Sequence, residues 1–113
     1  MKHKNIKLVV VAAAILSVSS IVQAQEFIVT QTNKTFMMKD VKIEKLTIKA
    51  GDTISFLNGD PWFHNIFSLS ELKTFDLGSY PKGQSKSVTF EKPGHAEIEC
   101  AIHPGMLLKL EVK

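Results

Sequence analysis

The chain has 113 residues and a formal net charge of +3. It is 44% hydrophobic and 22% charged with a single cysteine, which excludes a disordered polyelectrolyte and a disulfide-stapled miniprotein. The positive balance belongs to the N-terminal leader: without Lys2, Lys4 and Lys7 the basic residues equal the eleven acidic ones, so charge gives no reason to expect nucleic-acid or anionic-membrane binding.

The leader begins MKHKNIK, continues as the apolar run LVVVAAAIL and ends in SVSSIVQA. A basic start, a short apolar stretch, and Val22 and Ala24 at the −3 and −1 places form the pattern of a secretory signal peptide. The apolar run falls short of the roughly 20 residues that a membrane span needs. Ser17, Ser19 and Ser20 interrupt its second half. The expectation is a signal peptide over residues 1–24, cleaved after Ala24, and one periplasmic domain over 25–113 that does not insert in a membrane. Small exported domains often add disulfides or a metal to a modest core. One cysteine closes no internal disulfide, so Cys100 is a free thiol, an intermolecular partner, or a thiolate with another task.

Along the rest of the chain, short alternating runs are punctuated by turns, and helical periods are scarce. EFIVTQ puts Phe27 and Val29 on one face, and the less regular TFMMKDVKIEKLTIK alternates Leu46 and Ile48 with polar residues. AGD turns into TISFLN, where Ile54 and Phe56 share a face, and NGDP makes a loop before the strand FHNIF. SLSELKTFDLGSYPKG reads as a longer connection with one short helical turn. SKSVTF pairs Val88 with Phe90, EKPG turns, and HAEIEC puts Ala96, Ile98 and Cys100 on one face. After CAIHPGM, LLKLEVK alternates Leu108, Leu110 and Val112 with Lys109 and Glu111. Seven or eight short strands with turns between them predict an all-β, Greek-key antiparallel β-sandwich.

In that architecture CAIHPGM is a tight loop at one end of the sandwich. It carries a thiolate, an imidazole and a thioether within seven residues, the soft and borderline donors that suit copper. Pro104-Gly105 makes a turn that folds Met106 back towards Cys100 and His103. A copper ion that cycles between Cu(I) and Cu(II) takes one thiolate, two imidazoles and a weak axial sulfur, so one histidine is missing. His64, at the start of a strand, is the candidate. His95 precedes Cys100 by a five-residue strand, roughly 16 Å at the strand rise, and belongs at the opposite end. Asn65 is placed to lend its backbone or side-chain amide to the ligands, or simply to pair with a loop.

FHNIF and CAIHPGM, with KAGDTISFLNGD and VTFEKPGHAEIEC before them, resemble the small type I copper proteins, the cupredoxins of the plastocyanin and azurin kind. The resemblance runs from about Leu46 to the C-terminus, and the Cys-x2-His-x2-Met spacing is most similar to the amicyanin loop. It implies His64, Cys100 and His103 as equatorial ligands of one type I copper, Met106 as the axial thioether, and Asn65 as a hydrogen-bond partner near the thiolate. It further implies a one-electron carrier, not an enzyme, with His103 as the electron port. Transient redox partners would then dock on an apolar rim near His103 with Trp62, Phe63 and Pro104, joined by Pro61 and Gly105. Trp62 and Phe63 have a plainer use, packing over the end of the sandwich. The chain is bulkier there than the resemblance leads one to expect, and residues 30–44 match loosely. The expected state is a monomer. The competing function is a periplasmic copper carrier or chaperone, which needs an exchangeable Cu(I) site.

Overall fold

The computed structural model describes residues 23–113. The expected signal peptide lies outside the described residues apart from Gln23 and Ala24. The first half forms β1 (Glu26–Thr32), β2 (Thr35–Met38), β3 (Val41–Lys42), β4 (Lys45–Ile48) and β5 (Thr53–Asn58). The second half forms β6 (His64–Ser68), β7 (Phe75–Tyr80), β8 (Ser85–Thr89), β9 (Gly94–Cys100) and β10 (Leu107–Val112). Among the described residues there is no helix.

Two five-stranded sheets result, in the orders β3-β2-β1-β5-β8 and β4-β10-β9-β6-β7. The chain passes repeatedly between them, at β3 to β4, β4 to β5, β5 to β6, β7 to β8 and β8 to β9. Alternation decides which side chains meet. β9 buries Ala96, Ile98 and Cys100, and β10 buries Leu108, Leu110 and Val112. Val29, Phe36, Ile54, Phe56 and Val88 face them from the other sheet. Full burial of each such side chain contributes about 1.5–3 kcal/mol, and this apolar layer holds the sheets together.

Ten strands replace the seven or eight expected, and two ladders are parallel, β1 with β5 and β10 with β4. Alternation encodes which face a residue occupies and says nothing of strand direction, so a parallel ladder leaves no mark on the pattern. The stretch read as a connection with a helical turn contains β7. Its ladder with β6 shifts register, because Asn65 pairs with Ser79 while Phe67 pairs with Asp76. The extra residue falls near Gly78 (φ +74), and it breaks the period of two that would have exposed the strand.

Two turns position the functional end. β1 and β2 are joined by Asn33 and Lys34, both left-handed (φ 53 and 59), as a two-residue hairpin of the primed type requires. Gly59 follows β5 and lies so close to β1 that a Cβ would sit 2.9 Å from Thr32 Oγ1. Only glycine lets the β5–β6 loop press against that hairpin.

Candidate metal centre

β6 and β9 run side by side with Ile66 opposite Cys100, and Ala101 N–H donates to the carbonyl of Asn65 at 2.9 Å. This register sets the first residue of β6 beside the last residue of β9. His64 Nδ1 lies 3.3 Å from Cys100 Sγ, and His103 Nδ1 lies 3.8 Å from the same sulfur. The ligand atoms of His64, Cys100 and His103 all lie within 4.8 Å of one another. His64 and Cys100 are buried, and His103 is half-buried. The imidazole rings of His64 and His103 are 4.8 Å apart between centroids.

Met106 closes the loop from below. It is buried among the core residues, and its N–H donates to the carbonyl of His103 at 3.2 Å. Gly105 takes φ +97, a conformation that a side chain would strain, and this allows the chain to reverse between His103 and Met106. The backbone N–H of Asn65 points at Cys100 Sγ from 3.4 Å. The Asn65 side-chain carbonyl, by contrast, is buried without a partner among the described residues. His95 is exposed at the far end of β9, opposite Glu111 in the ladder and 3.9 Å from its carboxylate. It takes no part in this cluster.

Sequence reasoning missed the group that orients His64. Asp60, in the stretch read only as a loop, accepts from His64 Nε2–H at 2.8 Å with both side chains buried. The same carboxylate accepts from Asn33 N–H at 2.6 Å and Lys34 N–H at 3.1 Å. Burial works to raise the Asp60 pKa, but the bond from His64 and those from Lys34 and Asn33 outweigh it, and the net direction is downward. An ionised carboxylate only accepts, so the proton of His64 sits on Nε2 and Nδ1 presents its lone pair to the sulfur side. In the sequence the only trace is an acid four residues before the histidine across a loop, a spacing that does not reveal the burial of either residue.

Asn58 fixes the loop that carries Asp60. Its side-chain amide donates to the carbonyls of Trp62 and Tyr80 at 2.8 and 2.9 Å, and its oxygen accepts from Asp60 N–H at 2.8 Å. Tyr80 in turn donates from its phenol to Gln31 at 2.8 Å inside the core. Burial, then the nearby Cys100, pushes the Tyr80 phenol well above its ordinary pKa, so it stays a donor. His103 is held below the ordinary histidine value, first by burial and then by the charges of His64 and Lys34, with Asp60 opposing. A neutral ring is the form that binds a metal.

Around His103 the surface is apolar. Trp62, Phe63 and Ile102 are exposed, as are Pro61 and Pro104. The Trp62 ring lies 6.0 Å from that of His103, and Lys34 Nζ sits 5.4 Å above Trp62. Ile102, within the metal loop itself, joins the rim that the sequence drew only from Pro61, Trp62, Phe63, Pro104 and Gly105.

The donor set fits copper. One thiolate source and two imidazoles converge on a point that a single ion can share, a thioether stands at the base of the loop, and the tautomer of His64 is already fixed. Comparison with known proteins gives the same metal. Residues 26–113 match the family model described as copper binding proteins, plastocyanin/azurin family. Methylamine utilization protein MauL of Methylorubrum extorquens is 29% identical over 68 residues, which cover 59% of this chain and 60% of that protein's length. The match thus spans less than two thirds of that relative. An amicyanin variant in its Cu(I) form superposes with a TM-score of 0.68 at 22% identity, over 77% of this chain and 81% of that one. A copper-containing nitrite reductase from Thermus scotoductus superposes with a TM-score of 0.66 at 23% identity, over 77% of this chain and 22% of that one. These structural likenesses show the fold.

Proposed function

The chain belongs to the plastocyanin/azurin family of copper-binding proteins, and on that premise we propose that it is an exported, periplasmic one-electron carrier with a type I copper held by His64, Cys100, His103 and Met106. It is a carrier and not an enzyme. The observation that carries the ligand assignment is the convergence of His64 Nδ1, Cys100 Sγ and His103 Nδ1 within 4.8 Å, with the His64 lone pair directed by Asp60. Met106 would supply a fourth, weaker thioether donor from the end of the loop. Asn65 serves through its backbone N–H, which draws electron density from the thiolate.

Bound copper supplies a Cu(I)/Cu(II) couple at this point. The chain supplies rigidity and a way out. His64 and Cys100 are clamped on neighbouring strands, and the loop from Cys100 to Met106 is too short to reorganise freely. His103 is the only one of these four residues that is not fully buried, so its ring is the route to a partner. Redox encounters use small, weak interfaces, and the exposed rim of Trp62, Phe63, Ile102 and Pro104 suits one. The leader pattern over residues 1–24 supports export. Burial of His64 and Cys100 weighs against the chaperone alternative, whose ligands must be open to exchange.

The test is the visible and EPR spectrum of the purified domain with one equivalent of Cu(II). An intense thiolate-to-copper charge-transfer band with a narrow copper hyperfine splitting, and a reversible couple, is the expected result. Weak colour with ordinary tetragonal parameters would overturn the type I assignment and favour the chaperone.

A further inference from the structure

On the Met106 side of the copper loop the surface opens into a groove of about 340 Å³, walled in part by Gly105 and Met106. Its charged lining is four lysines, Lys34, Lys42, Lys45 and Lys109, and one acid, Glu44. Glu44 stands 3.5 Å from Lys42 on exposed surface. Among the described residues, Lys34, Lys45 and Lys109 form no ion pair.

Lys45 and Lys109 are direct partners in the parallel β4–β10 ladder. Like charges placed opposite each other destabilise a sheet. On its other side Lys109 faces Glu97 across the β9–β10 ladder, so the excess lies towards β4 and the groove. Lys34 carries the positive field to the electron port, since it covers Trp62, which lies beside His103. From Gln25 onward the chain has as many acids as lysines. The groove is therefore positive by arrangement and not by surplus.

We propose that this groove is the electrostatic part of the docking face, and that the redox partner is a protein with an acidic patch. Carboxylates of the partner meet Lys34, Lys45 and Lys109 while its apolar surface meets Trp62 and Phe63. A field of one sign around an apolar contact steers encounter and fixes orientation without demanding a tight complex. This inference rests on the electron-carrier reading and adds the charge of the partner to it.

The experiment uses the copper-loaded protein and two small probes of opposite charge. The Cu(I) protein is oxidised by hexacyanoferrate(III), which is reduced to hexacyanoferrate(II), one electron passing from copper to iron. Tris(phenanthroline)cobalt(III) serves as the cationic oxidant. The rate with hexacyanoferrate(III) should fall about tenfold from low to high salt, and Lys45→Glu/Lys109→Glu should remove about tenfold of the low-salt rate only. The cobalt complex should gain from the same substitutions. Titration of poly-L-glutamate should shift the backbone amide resonances of Lys34, Lys45, Gly105 and Lys109 in the Cu(I) protein. Should the double variant fail to fold, Lys34→Glu, in the exposed turn, provides the same readings. The visible band of the Cu(II) form is recorded in every sample. Loss of that band in the parent protein would defeat the copper reading. An intact band with unaltered salt dependence in the variant, or with poly-L-glutamate shifts at the opposite end of the sandwich, would overturn the docking inference alone.

Discussion

Asp60 and His64 are joined side chain to side chain within the metal centre, His64 Nε2–H donating to Asp60 Oδ2 at 2.8 Å. Because the ring is fixed from its outer nitrogen, Asp60→Asn should lower copper affinity roughly 10- to 100-fold, the usual loss when such a partner is changed. The reduction potential should rise, since a neutral amide favours Cu(II) less than a carboxylate does. Chelator competition and voltammetry read the two effects. Wild-type values for both would restrict Asp60 to anchoring the β1–β2 turn.

Cys100→Ser should abolish the charge-transfer band while the sandwich remains folded. The residue is buried at the end of β9, with His64 Nδ1 at 3.3 Å and the Asn65 N–H at 3.4 Å from its sulfur, so the shorter hydroxyl meets polar groups at sulfur-length distances and pairs with them poorly. Burial of a poorly paired hydroxyl costs about 1–3 kcal/mol, which most domains survive. Circular dichroism and absorbance measured together decide the matter, and retained colour would remove Cys100 from the ligand set.

Met106→Leu changes chemistry more than volume. A swap of similar size in a core usually costs less than about 1.5 kcal/mol, so copper should still bind. The potential should move, because a thioether donor to the copper would tune it. An unmoved potential would show that Met106 serves the core alone.

The far end of the sandwich contains an acid-sensitive latch. Asp52 accepts from the backbone N–H groups of Gln25 and Lys49, each at 2.9 Å. Its pKa is lowered from 3.8, chiefly by the Gln25 bond and then by Lys49, against burial. The folded carboxyl thus binds fewer protons than the unfolded one as pH falls through its ordinary value. Its contribution to stability is complete above that value and is lost as pH falls towards the folded pKa. Asp52→Asn should therefore lower the urea midpoint most near neutral pH, with the gap narrowing below about pH 4. A gap independent of pH would mean that the charge of the carboxylate contributes nothing to the latch, and no gap at all that the amide replaces it fully.

Ile98→Ala, at a position with no exposure in the middle of β9, should cost about 2–5 kcal/mol. The visible spectrum of the remaining folded fraction should not change, since the cavity lies a turn of the strand pattern away from Cys100. A large spectral change would indicate that the core sets the ligand geometry directly.

What the sequence disclosed depended on how regular each element was. β9 and β10 were legible because Ala96, Ile98, Cys100, Leu108, Leu110 and Val112 keep a strict period of two. The loop from Cys100 to Met106 was legible because soft donors crowd around a Pro-Gly turn. β7 was hidden by its extra residue, which moves the next core side chain from an even to an odd spacing. Asp60, Asn58 and Gln31 were hidden for another reason. Each is a polar residue with almost no exposure, and a reading based on apolar alternation assigns such residues to loops or surface. Their burial is tolerated because each is hydrogen-bonded, and that is visible only once the strands are side by side.

The Asn33–Lys34 turn is tied to Asp60 across 26 and 27 residues of chain, and His64 meets Cys100 across 36. Such contacts form late, after loop closure has been overcome. The orienting hydrogen bond on His64 is complete only when the first hairpin has docked. The centre is therefore finished only when β1 and β2 and the loop between β9 and β10 are both in place. Copper uptake in refolding should lag behind strand formation, and full colour should report that both ends of the chain have met.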